Sequence, residues 1–483
     1  LFYSLNALSS QLERFLLLLL REATPAKRRN GPAVDRSCDG PRGIHASREV
    51  DAVDQAHIEV TGGRRLSGTV QVSGSKYSAL AALPAAILAG GQVSLHNVPD
   101  SIDVTLYCNI LRQLGAGISR PAAGQIVLDT SSVVPGPCPY RDAVRFRASY
   151  YLLGAMLGRF GRAEVPLPGG DEIGPRPVDQ HLKGLRALGA EVALEHGVLR
   201  ATAPRAGLRG TTIYFDVESV GATLNVMLAA ATARGETEIR NAYRAPFVVD
   251  VANLLSAMGA RVRGAGTSVV RVRGEPKLGG ATHSLVFDQT EAATFMVAAC
   301  ATQGQITVRD VIPDHLEAMS AKLREAGADV VSDGDEITVG ASRRLDPIEV
   351  TTLPHPGFYT DFQQPMTALL STAAGRSTVT ETVWEERFRF VEELCRMGAR
   401  ITVHGRTAVI EGVPNLTGAI VRATDIRAGA ALVIGGLMAR GTTQILRPFH
   451  IQRGYEDIVG KLTALGAEIR WCGPAIDLEE LTT

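Results

Sequence analysis

Aromatic residues are scarce in this chain of 483 residues: they make up 5% of it, with only two tryptophans. Net charge is missing too, because 50 Lys and Arg balance 50 Asp and Glu. That balance excludes a broad electropositive footprint for nucleic acid, although a local basic pocket stays open. Six cysteines, Cys38, Cys108, Cys138, Cys300, Cys395 and Cys472, stand far apart, and none forms a C-x-x-C pair. A zinc site or redox dithiol therefore has no support, and a reducing cytoplasm is the expected compartment. No apolar run approaches the roughly 18–20 residues of a membrane-spanning helix; the longest candidate is Phe15 to Leu20. P-loop, zinc-protease, EF-hand and nucleophile-elbow motifs are absent as well. Residues 1–56 lack hydrophobic periodicity and carry basic clusters such as Lys27-Arg28-Arg29. They read as a disordered leader, one origin being a misplaced start codon; a basic targeting tail is the alternative.

What the chain has is repetition. The phrase Leu-x-x-(Leu/Met/Ala)-Gly-Ala-x-(Ile/Val) begins at Leu111, Leu185, Leu255, Leu323, Leu394 and Leu462. Its glycines, Gly115, Gly189, Gly259, Gly327, Gly398 and Gly466, are 68 to 74 residues apart. Coincidence does not produce six copies at so even a spacing. Upstream of the phrase lie helices apolar on every side, such as Ala79–Leu88, Ala222–Ala231 and Ala292–Ala301. Such helices must be buried all round. Each is followed by Gly, a short alternating strand, an amphipathic helix ending in the phrase, and a hairpin such as that around Asp333-Gly334. The pattern predicts an α/β fold with mixed sheets, six units divided three and three into two similar domains.

Chemistry-bearing residues cluster at the starts of the buried helices. Lys76 follows Ser73-Gly74-Ser75, Arg427 follows Thr424-Asp425-Ile426, and Arg176 sits in the Gly/Pro-dense stretch Pro168–Pro177. Arg387 and Arg453 lie in Trp384-Glu385-Glu386-Arg387-Phe388 and His450-Ile451-Gln452-Arg453-Gly454-Tyr455. Guanidinium groups beside helix N-termini make sites for phosphate or carboxylate. The residues alone thus define an anion-handling two-domain protein.

Several of these phrases, with Arg147-Ala148-Ser149, Ser219-Val220-Gly221-Ala222-Thr223 and Pro354 through Asp361, resemble the UDP-N-acetylglucosamine 1-carboxyvinyltransferases. The likeness runs in order from about His57 to Trp471. It implies two inside-out α/β barrels of three units each, with the active site in the cleft between them. One domain would comprise residues 57–75 plus 286–483, the other 76–285 with a lid loop at 166–178. The implied reaction transfers the enolpyruvyl group of phosphoenolpyruvate to a uridine nucleotide, by addition and then elimination of phosphate. It uses no metal and no organic cofactor. The acceptor would be the 3-hydroxyl of UDP-N-acetylglucosamine, in peptidoglycan precursor synthesis.

The resemblance assigns Lys76, Asp171, Asp361 and Arg427 as catalytic, and Lys76, Arg176, Arg427 and Arg453 to phosphoenolpyruvate. It assigns Tyr77, Arg147, Arg176, His181, Ser219, Val220, Gly221, Asp361, Val383 and Arg387 to the acceptor. Asp171 stands where most members have Cys, which implies resistance to the epoxide fosfomycin. As a proton donor it would need a raised pKa, supplied by desolvation when the lid closes. On the acceptor side Tyr77 replaces Asn, Val217 replaces Lys, Tyr151 replaces Trp, and Ala245 and Phe247 replace acidic residues. These departures keep two alternatives open: transfer to UMP in nucleoside-antibiotic synthesis, and a non-catalytic nucleotide-binding paralogue.

Overall fold

The computed structural model describes residues 56–474, and the leader expected over residues 1–56 lies almost wholly outside them. The described residues form a mixed α/β structure in which one sheet design recurs six times. In the clearest copy, Gln305–Arg309 pairs in parallel with Ser67–Gln71 on one side and antiparallel with Glu336–Gly340 on the other. Asp329–Asp333 completes that sheet as the outer strand of the hairpin. The strands Gln92–His96, Glu236–Arg240, Arg376–Thr380 and Thr442–Leu446 each take the same central place, with one parallel and one antiparallel neighbour. Arg162–Pro166 has only a single parallel bridge, Pro137 to Glu164, in place of a full parallel strand.

The repeated phrase closes the outer helix of each unit and turns the chain into a hairpin in five units; in the sixth it leads into Glu468–Cys472, which pairs with His57–Thr61. All six of its glycines have positive φ, between 88° and 113°. L-residues with a Cβ avoid this region, so the phrase needs Gly just past the helix end.

The inner helices are Lys76–Ala85, Tyr151–Phe160, Val220–Ala230, Gln289–Ala301, Gln363–Leu370 and Ile426–Met438, buried along nearly their whole length. Tyr151–Phe160 packs on Val220–Ala230, and Gln363–Leu370 on Ile426–Met438. These helices start earlier than the apolar runs in the sequence. Ser75, Ser219, Asp288 and Asp425 cap four of them by accepting bonds from first-turn N–H groups. The polar residues recruited this way do not belong to any apolar stripe. The helix read as Ala79–Leu88 also changes character: it is α-helical to Ala85 and tightens to a 3₁₀ turn over Ala86–Ala89, next to Pro84.

Two crossings tie the molecule together. The strands before Lys76 pair with late strands: His57–Thr61 lies between Thr442–Leu446 and Glu468–Cys472, and Ser67–Gln71 lies beside Gln305–Arg309. Conversely Ala281–Ser284 pairs with Gln92–His96. The chain therefore crosses twice, and the crossings run side by side. Asp288 N donates to Ser73 O at 2.8 Å, and Ser75 N donates to Val286 O at 2.7 Å. Gly74 lies against the Asn97 backbone with no room for a Cβ.

The repeated glycine permits a clean test. Nothing lies within 4 Å of a Cβ built on Gly259, whose φ is +113°. Gly259→Ala is therefore expected to cost about 1–2 kcal/mol through backbone strain alone. Chemical denaturation should show a lower midpoint with an unchanged m-value.

Candidate active site

A cavity of about 690 Å³ opens where the starts of several inner helices converge. Tyr77, Arg147, Asp171, Arg176, His181, Ser219, Val220, Gly221, Asp361, Val383, Arg387 and Arg427 all line it. Lys76 and Arg453 do not reach its wall and are linked to it through Asp171.

That linkage forms one of two buried ion clusters. Asp103 receives Lys76 Nζ at 2.7 Å and Arg453 Nε at 2.9 Å. Arg453 also reaches across to the lid and donates to Asp171 at 2.6 Å. Burial would raise the carboxyl pKa of Asp103, but Arg453 and Lys76 more than offset it and hold the group below its usual range. Burial outweighs the Asp103 charge at Lys76, whose ammonium is lowered.

Asp171 corrects an expectation. Lid closure was expected to raise its pKa by desolvation. Burial does push that way, but Arg453 and Lys76 push harder, and the carboxyl is lowered. With no anion between them, Asp171 is the counter-ion of the cationic cluster.

The second cluster surrounds Asp361, the middle residue of the short turn Thr360–Phe362. Arg387 donates to its Oδ1 at 2.5 Å. Arg427 Nε at 3.1 Å and the Tyr77 hydroxyl at 2.6 Å donate to its Oδ2. Burial raises the Asp361 pKa, yet Arg387 and Arg427 bring it below the ordinary value. The Nη1 and Nη2 atoms of Arg427 are buried and find no acceptor among the described residues, although the guanidinium is flanked by the Tyr77 and Tyr455 rings. A guanidinium with spare donors in a dry cavity is an anion receptor.

The other end of the cavity is centred on a neutral histidine, with Arg147 and Arg176 also in its lining. Asn225 fixes His181: its Oδ1 accepts from Gly154 N at 2.7 Å, so its amide nitrogen must be the donor to His181 Nδ1, at 2.9 Å. The imidazole proton therefore sits on Nε2. Burial, with Arg147 nearby, lowers this histidine to about 3. A Cβ on Gly221 would collide with the Tyr150 hydroxyl and the His181 ring, so only Gly admits this packing. Val217 is 60% exposed at the rim. Arg176 lies over the Trp384 ring at 5.3 Å, and its carbonyl accepts from Arg147. The Gly/Pro-dense stretch that carries Asp171 is tied to the segment around Arg387, with Arg389 bonded to Glu172 at 2.6 Å and Glu386 N donating to Ile173 O at 3.2 Å.

Sequence reasoning missed Asp103, Tyr150 and the roles of Trp384 and Tyr455. Asp103 is a single acid in a first helical turn, where a carboxylate ordinarily answers the helix dipole. Trp384 and Tyr455 stood inside phrases already singled out for their arginines.

Known proteins place this architecture. The family profile described as EPSP synthase (3-phosphoshikimate 1-carboxyvinyltransferase) matches residues 60–462. The chain belongs to this family of enolpyruvyl transferases. Within it, the chain is 51% identical over 413 residues to the UDP-N-acetylglucosamine 1-carboxyvinyltransferase of Clostridium botulinum, covering 85% of this chain and 99% of that one. It is 53% identical over 414 residues to UDP-N-acetylglucosamine 1-carboxyvinyltransferase 3 of Symbiobacterium thermophilum, covering 86% of this chain and 97% of that one. Among solved structures, the enolpyruvyl transferase NikO of Streptomyces tendae is similar, with a TM-score of 0.78 and 28% identity over 87% of this chain and 99% of that one. The EPSP synthase of Acinetobacter baumannii shares the fold at a TM-score of 0.68 and 19% identity, over 86% and 99% of the two chains.

His181 gives the site an acid limit. A histidine held neutral below its unfolded pKa of about 6.5 contributes stability that is full above that pH and is lost as pH falls toward the folded value. His355 and His450, both lowered to about 4 chiefly by burial, act in the same direction. The melting temperature is expected to fall as pH drops below about 6.5. His181→Gln should flatten part of that slope in scanning calorimetry; an unchanged slope would show that the ring is protonated in the folded protein.

Proposed function

We propose that this protein transfers the enolpyruvyl group of phosphoenolpyruvate to the 3-hydroxyl of UDP-N-acetylglucosamine and releases phosphate. The observation that carries the reading is Arg427, a buried cation with two unpartnered donor atoms beside the carboxylate of Asp361. Roughly half of all positions shared with transferases named for this acceptor support the choice of nucleotide. We read the two groups of three sheets, each around three inner helices, as two inside-out barrels. One barrel spans residues 76–285 with its lid at 166–178, and the other residues 57–75 and 286 onward.

Phosphoenolpyruvate brings a phosphate and a carboxylate, which require convergent cations. Lys76, Arg453 and Arg176 would take the phosphate side and Arg427 the carboxylate. The acceptor lies along the histidine end, against His181, Ser219, Val220, Gly221 and Val383, with Arg147 and Arg387 at its margins. In the addition step the acceptor oxygen bonds to C2 of phosphoenolpyruvate, its proton leaves toward Asp361, and C3 gains a proton from Asp171. In the elimination step C3 returns a proton to the Asp171 carboxylate, the C2=C3 double bond re-forms, and the C2–O bond to phosphate breaks, the electron pair leaving with the phosphate. Asp171 suits this role only when an anion has drawn Lys76 and Arg453 away from it. Their field then no longer opposes burial, and the carboxyl pKa rises. Binding of the substrate thus prepares the acid.

UMP is the second acceptor worth testing, because Val217 leaves no cation where a diphosphate would lie and Tyr77 fills more of the sugar's side of the pocket than an Asn would. Phosphate release with phosphoenolpyruvate and each nucleotide decides between them. The expected result is turnover with UDP-N-acetylglucosamine at a kcat/KM at least tenfold above that with UMP. The reverse order would assign the smaller nucleotide, and no release with either would leave only a binding paralogue.

Fosfomycin alkylates a lid thiol, and Asp171 offers a carboxylate engaged by Arg453 instead. The native enzyme is expected to resist time-dependent inactivation, and Asp171→Cys to acquire it while keeping some turnover. Rapid inactivation of the native protein at this loop would contradict the placement of the lid.

A further inference from the structure

Asp361 lines the cavity but has little free surface to offer an acceptor. It is 4% exposed, and both of its carboxylate oxygens already carry donors. Two of those donors, Arg387 and Arg427, are cations that stay where the charge is. The third is the hydroxyl of Tyr77, which is neutral, only half-buried, and itself part of the cavity wall. Its oxygen has lone pairs that Asp361 does not use. A hydroxyl arriving from the cavity therefore meets the Tyr77 oxygen before it meets the carboxylate.

We propose that Tyr77 is a proton relay between the acceptor hydroxyl and Asp361, an inference that rests on the transfer reaction proposed above. As the acceptor oxygen bonds to C2 of phosphoenolpyruvate, its proton passes to the Tyr77 oxygen. The proton that Tyr77 held passes at the same time to Asp361 Oδ2. Tyr77 ends as it began, neutral, and Asp361 ends protonated. A concerted exchange is required, since burial and the Asp361 charge raise the phenol pKa and forbid a phenolate.

The ring is held for this duty. It packs against Phe247 at 5.3 Å between centroids, and Phe247 stacks in turn on Tyr243 at 6.3 Å. The Arg427 guanidinium lies 6.0 Å from the centroid of the same ring. The aromatic pair places the hydroxyl one phenol oxygen further into the cavity than the carboxylate it serves. The acceptor hydroxyl is accordingly received about 2.7 Å further from Asp361 than in direct contact.

The test uses Tyr77→Phe, which keeps the ring and its packing and removes only the relay oxygen. With phosphoenolpyruvate and UDP-N-acetylglucosamine, kcat is expected to fall about 100-fold with little change in the acceptor KM. Asp361→Asn should then cost far less in the Tyr77→Phe background than in the native one, because the path is already cut. Wild-type kcat in Tyr77→Phe, a lower acceptor KM, or fully additive losses would overturn the relay and leave the reaction standing. An unreactive native enzyme with both uridine nucleotides would overturn the reaction and the relay together. A proton inventory on single turnovers of the native enzyme needs no variant. A curved inventory reports two protons in flight, and a linear one rejects the relay.

Discussion

Cations that must meet one small anion repel each other until it arrives, and in a dry cleft that repulsion is strong. Asp103 is the answer this chain gives. Its carboxylate sits between Lys76 and Arg453, which come from parts of the sequence hundreds of residues apart. The pairing must be complete: stripping one partner from a buried ion pair costs about 3–5 kcal/mol, because the other charge stays buried and unpaired. The same logic repeats at Asp361 with Arg387 and Arg427. The cleft is thus charged in advance at fixed positions, with Asp103 held in the first turn of a helix and Asp171 in the Gly/Pro-dense stretch.

The two ends of the cavity differ in kind. At one, carboxylates and guanidiniums interlock, and small displacements are expensive. At the other, a neutral imidazole, tyrosines and a close-packed glycine offer shape and single hydrogen bonds. This division fits a reaction in which the donor is a compact polyanion and the acceptor a larger body whose charge is confined to its phosphates.

The six-unit plan was legible because backbone geometry enforces it. A left-handed turn after each outer helix admits little but glycine, so Gly115 through Gly466 print the repeat into the sequence. The arginines were legible through their company, at helix starts and beside glycines and prolines. Partnerships were not. Nothing local connects Tyr77 with Asp361 or Arg453 with Asp103, since these bonds depend on how the two crossings bring distant helices together. Charge state was hidden for the same reason. Asp171 read as a group that burial would neutralise, because the cations that reverse the effect are visible only in three dimensions. Asp103 was hidden behind a sufficient local explanation.

The paired crossings at Ser73–Ser75 and Val286–Asp288 carry a consequence for synthesis. A ribosome releases His57–Thr61 and Ser67–Gln71 first, with Ile58 and Val60 destined for full burial. The partners of the first, Thr442–Leu446 and Glu468–Cys472, and the partner of the second, Gln305–Arg309, are made only after the whole segment from Lys76 to Ser284. That intervening segment is continuous and closes its own sheets. The two early strands must therefore wait beside a finished neighbour, as unpaired edges until those partners emerge. Their brevity and polar alternation are what make that wait tolerable: five residues each, with Glu59, Thr61, Ser67 and Gln71 facing outward.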